Sequence, residues 1–142
     1  MNAKNMARPG THEAMIHLMV VTSASDRDMT DIELARIGQV VRTWPIFEDF
    51  RQDKLIRVAQ DCQMILNEDG GLDRVLSGAR RAIPDHLHDT AYAAAFEVAA
   101  VDHEMRMEEL RILQLLRQYL KVDLLTIAAI ERGNKARMRR LT

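Results

Sequence analysis

The chain is poor in several things, and each shortage excludes something. It has one cysteine, Cys62, in 142 residues. That excludes an intramolecular disulfide and any multi-cysteine zinc site. Aromatic residues make up only 4%, so a core must be assembled from Leu, Ile, Val, Met and Ala. Nine methionines add adaptable filler suited to helix-on-helix contacts. Clusters of Val, Thr and Tyr that would mark strands are missing, and most segments favour helix. A dominant charge is missing too. The net charge of −1 argues against a nucleic-acid binder, which is ordinarily strongly basic. No stretch approaches the roughly 20 apolar residues that span a bilayer. The N-terminal MNAKNMARPG lacks the apolar run of a signal peptide. A cytoplasmic location is the resulting expectation. No G-x-x-x-x-G-K-[S/T] occurs, and no Ser/His/Asp set has recognisable spacing, so no enzyme is expected.

What is present is a chain of single-domain size with 47% apolar residues. The reading is all-α, with about seven helices packed as one bundle. Residues 1–10 read as a disordered leader ended by Pro9-Gly10, residues 11–133 as the helical domain, and residues 134–142 as a basic tail. Thr11 is placed to cap a first helix that is apolar on nearly every face except at His17, the mark of a buried helix. Thr30 caps a second helix with Ile37, Val40, Val41 and Trp44 on one stripe, stopped by Pro45. A third helix is expected over about Asp49 to Leu66 and a fourth from Leu72 to Ile83, separated by Asn67-Glu68-Asp69-Gly70-Gly71. After Pro84, a fifth helix over about Asp85 to Val101 is again apolar nearly all round. A sixth carries Met107, Leu110, Leu113, Leu116 and Leu120, and a last runs from Leu124 to Glu131.

The two halves repeat. The segment from Ala24 to Leu34 lies over that from Ala100 to Leu110, sharing D-x-[D/E]-M-x-x-x-E-L. Each copy is a helix–acidic loop–helix unit, a buried helix before the loop and an amphipathic one after it. A duplicated helical hairpin ordinarily packs about a pseudo-two-fold axis. The doubled D-x-x-hydrophobic-x-x-x-E, the connector Glu68-Asp69-Gly70-Gly71-Leu72 and the following Ala82-Ile83-Pro84-Asp85 resemble the TerB-like tellurite-resistance family over about His12 to Glu131. The chain departs from that family's pattern at Arg27 and His103, where glycine is usual, and at Arg106, where a small capping residue is usual. The resemblance implies a stress-response role linked to tellurite or metal, with protein partners that include membrane-associated ones. It also implies a divalent cation at Asp26, Glu33, Asp102 and Glu109. Hard cations such as Ca²⁺, Mg²⁺ or Mn²⁺ take carboxylate oxygens. Zn²⁺ fits less well, since His103 stands beside acids with no cysteine near it. Neither nucleic-acid binding nor any oligomeric state is implied.

A plainer reading of the same residues stands beside this one. Thr30-Asp31-Ile32-Glu33 is a capping box, in which Glu33 reaches back to the N-cap amide, while Asp26 and Asp28 favour the positive end of the helix. Arg106 cannot repeat that box, and Glu109 is placed to pair with it at i, i+3. The loop is no EF-hand, because Asp31 and Ile37 occupy the positions of the required glycine and bidentate glutamate. The alternative function is accordingly a metal-free helical protein-interaction scaffold. His86 and His88 at a helix start read as solvated, His17 as a satisfied core imidazole, and Cys62 as a buried hydrophobe. Lys135, Arg137, Arg139 and Arg140 read as a solvated, disordered tail.

Overall fold

The structure, a computed structural model, describes residues 10–23, 29–99 and 107–141. Seven α-helices and no strand occur among them: α1 (Thr11–Ser23), α2 (Asp31–Thr43), α3 (Leu55–Leu66), α4 (Gly71–Ala82), α5 (His88–Ala99), α6 (Met107–Tyr119) and α7 (Leu124–Arg137). Helix α1 is the axis of the fold. Met15, Ile16, Leu18, Met19 and Val20 are fully buried, because α5, α4, α3, α6 and α2 all pack against it. The all-round apolar sequence of α1 thus has its physical reason. Helix α5 is buried in the same way through Ala91, Tyr92, Ala94, Ala95 and Val98. Its small alanine side chains suit close packing against α1.

Local chemistry sets the helix ends. Thr30 and Glu33 complete the capping box of α2. The Asp123 carboxylate accepts the Thr126 amide at 2.7 Å and starts α7. Between α3 and α4 the chain turns through Gly70, whose φ of 72° lies in the left-handed region. A Cβ on the neighbouring Gly71 would overlap the Ile65 carbonyl. The two glycines therefore do different jobs, one conformational and one steric.

Three boundaries differ from the sequence reading. Pro45 ends α2, but α3 begins only at Leu55; the chain between makes two 3-10 turns, Pro45–Phe47 and Gln52–Lys54. The fifth helix opens with a 3-10 turn, Asp85–Leu87. The last helix does not stop at Glu131 but runs through Gly133 to Arg137. An internal glycine costs a helix about 1 kcal/mol relative to alanine. Beyond it, Asn134 and Arg137 are both held by Glu97.

The repeat is structural as well as sequential. The register that lays Asp26 over Asp102 also sets the end of α1, Ser23, on the end of α5, Ala99, and both ends of α2 on those of α6. Buried Ile37 and Val40 match buried Leu113 and Leu116. The packing is reciprocal, since α1 touches α6 as α5 touches α2. The same register lays His12 over His88, and both rings close their hairpins. The His12 Nε2 lies 2.7 Å from the carbonyl of Ile46, beyond the end of α2. The His88 Nδ1 accepts the amide of Lys121, beyond the end of α6, at 2.8 Å.

Candidate functional site

Two of the four proposed ligands, Asp26 and Asp102, lie outside the described residues, as do His103 and Arg106. The other two occupy matching places, in the first turns of α2 and α6. Glu33 is half-buried; its Oε1 accepts the Thr30 amide at 2.9 Å, while the Thr30 hydroxyl accepts the Glu33 amide at 3.1 Å. That carboxylate is thus already held by its own helix end. Glu109 is likewise half-buried and engaged. Among the described residues no group of three or more His, Cys, Asp or Glu side chains is arranged to hold a metal ion.

One of the histidines departs from expectation. His86 is exposed, but His88 is completely buried, which corrects its reading as a solvated side chain. The 3-10 turn after Pro84 directs it inward. With Nδ1 accepting from Lys121, the proton sits on Nε2, which donates to the Ile83 carbonyl at 2.8 Å. His17 is half-buried. Desolvation lowers its pKa against the opposing pull of Asp61, Glu13 and the Val58 backbone. The Cys62 thiol is fully buried. Burial pushes it up to about 12, far from the thiolate that nucleophilic chemistry requires.

A different set of residues forms a concavity. The surface between α2, α5 and α7 opens into a groove of about 400 Å³ lined by Trp44, Ala93, Glu97, Ile130, Asn134 and Arg137, among others. A second hollow of about 380 Å³ adjoins it, sharing Trp44 and Glu97 and adding Arg36, Gln39, Thr43 and Met138. Small residues create the space, since Ala93, Ala129 and Gly133 line it where longer side chains would fill it. At its base the Glu97 side chain is only 19% exposed. It accepts Asn134 Nδ2 at 3.1 Å and pairs with the Arg137 guanidinium, satisfying a charge that burial would otherwise penalise. Behind the groove, the buried Tyr92 hydroxyl donates to Glu131 at 2.8 Å and accepts from Arg117. Burial, more than any other influence, pushes that phenol up to about 12.

Sequence reasoning missed this groove. One signal could have found it: Glu97 is the only charge in the apolar run YAAAFEVAAV, and a lone acid on a buried helix demands a cationic partner. The partner, Arg137, lay in what read as a disordered tail.

No family model matches this chain, and no curated protein or solved structure is significantly similar to it. Its own geometry defines an all-α bundle of two equivalent helical hairpins, bridged by α3 and α4 and closed by α7.

Proposed function

We propose that this chain is a TerB-like helical domain acting as a metal-free protein-interaction scaffold, with the groove between α2, α5 and α7 receiving a segment of a partner. The groove carries this reading. It lies within the size range of binding pockets. It also combines the chain's one tryptophan with an arginine, two residue types concentrated at the energetic centres of interfaces. The capping box supports the metal-free part, because Glu33 has a structural task that needs no cation. A place in a tellurite- or metal-linked stress system, beside membrane-associated partners, rests on the sequence resemblance and is proposed with it.

Two measurements test the proposal. Chelator-treated protein is melted while Ca²⁺, Mg²⁺, Mn²⁺ or Zn²⁺ is titrated, beside a Glu33→Gln/Glu109→Gln variant. Glutamine at the third position keeps a capping box but removes the ligand charge. Unchanged melting temperatures support the scaffold; a saturable rise that the variant loses replaces it with a metal module. Separately, a photo-crosslinking side chain at Thr43, on the groove rim, is compared with one at the exposed Gln60 on α3. A discrete adduct from position 43 alone is expected, and equal or absent capture from both removes the groove from consideration.

A further inference from the structure

The outer face of α7 has no role in the groove or the core. Leu124 and Leu125 are 79% and 81% exposed, a costly display for two adjacent leucines. At 100° per residue, Leu124, Leu125, Ala128, Arg132 and Lys135 project into a single arc of about 100°, and Arg139 follows just past the end of the helix. Every one of them is exposed. The inward arc carries Ile127 and Asn134, both buried. The groove draws on Ile130, Asn134 and Arg137, so it opens away from this face. The outer face is about 20 Å long.

Its charge is uncompensated. Glu131, the one acid of α7, is taken by Arg117 and Tyr92, and Arg137 is taken by Glu97. Arg132, Lys135, Arg139 and Arg140 have no ion pair among the described residues. A chain of net charge −1 thus gathers cations on and just past the end of a helix whose start carries bare leucines.

We infer that this face docks on an anionic phospholipid surface, with Leu124 and Leu125 entering the interfacial layer and Arg132, Lys135, Arg139 and Arg140 lying against the headgroups. The combination selects the partner. Cations alone would suit a phosphate backbone, but leucines at their side gain nothing there, whereas acyl-chain boundaries reward them. A planar surface also lets the exposed leucines and the cations engage together. The attachment is peripheral, as no helix among the described residues is long and apolar enough to cross a membrane. This inference goes beyond the scaffold reading and does not depend on the groove.

The test is co-sedimentation of the full chain with phosphatidylcholine vesicles containing phosphatidylglycerol, beside pure phosphatidylcholine vesicles. Binding to the anionic vesicles alone, weakened by salt, is expected. Arg132→Gln/Lys135→Gln/Arg139→Gln should lower the partition coefficient on the order of a hundredfold, from about fivefold per charge. Leu124→Ser/Leu125→Ser should lower it at least tenfold while leaving the charge untouched. Circular dichroism verifies that both variants fold, as expected of exposed positions. Absent binding, equal binding to both vesicle types, or a leucine variant that binds like wild type overturns the inference. So does a short DNA duplex that displaces the protein from the vesicles and is bound equally by the leucine variant.

Discussion

Replacing His88 with leucine isolates what a buried imidazole contributes to this fold. The ring bridges two backbone groups, the Ile83 carbonyl and the Lys121 amide, at 2.8 Å each. Leucine fills comparable volume but leaves both groups without a partner. A buried, unpaired backbone group costs about 1–3 kcal/mol. Ile83 is buried, while the Lys121 bond is only partly so, and water will recover part of the second loss. The expected total is about 2–4 kcal/mol, or roughly 6–15 °C in Tm for a chain of this length. The repeat supplies the control. His12 makes one such bond, to Ile46 at 2.7 Å, and packs beside Phe47 and Phe50 at the partly exposed end of α1. His12→Leu should cost only about 1 kcal/mol. Urea unfolding of the three proteins gives the comparison directly, provided the m-values agree. A loss under 0.5 kcal/mol for His88→Leu, roughly the scatter of surface substitutions, or a larger loss for His12→Leu, would refute the bridging role.

Because desolvation lowers the His17 pKa below 6.5, the unfolded chain takes up a proton before the native one does. Stability attributable to His17 should be constant above that value and fall as pH drops through it. His17→Leu should flatten this limb of the pH profile in urea unfolding, and an unchanged slope would count against the burial effect. The glycines should separate into three outcomes under substitution by alanine. Gly71→Ala, which meets the Ile65 carbonyl, should cost more than about 2 kcal/mol. Gly70→Ala, at φ 72°, should cost about 1 kcal/mol. Gly78→Ala, in open space within α4, should stabilise by about 0.5–1 kcal/mol. Thermal melting orders them, and any other ranking breaks the distinction between steric and conformational glycine.

Much of this architecture was legible because its causes are local or periodic. The all-round apolar runs of α1 and α5 announced buried helices, and both are buried. The Thr30–Glu33 box and the Gly70-Gly71 break each depend on neighbours within a few residues, and each forms. Cys62 sits in the core, as its place on the stripe required. What escaped depends on partners distant in sequence. His88 was assigned to solvent from ideal helix geometry, whereas a 3-10 turn and Lys121, 33 residues away, draw it inward. Glu97 and Arg137 are 40 residues apart, so neither revealed that the other would extend α7 past Gly133. The site was the least legible part. The acids singled out by the repeat include one that caps its own helix, while the groove arises from three helices meeting around small residues that no motif marks.

The two histidine latches also bear on how the molecule assembles. Each closes a hairpin over 34 or 33 residues, whereas joining α1 to α5 requires the halves of the chain to meet. Short closures lose less chain entropy than long ones. The hairpins are thus suited to form early and separately, with their docking as the later, slower event. A duplicated chain built this way meets its folding problem twice at small scale before it meets it once at large scale.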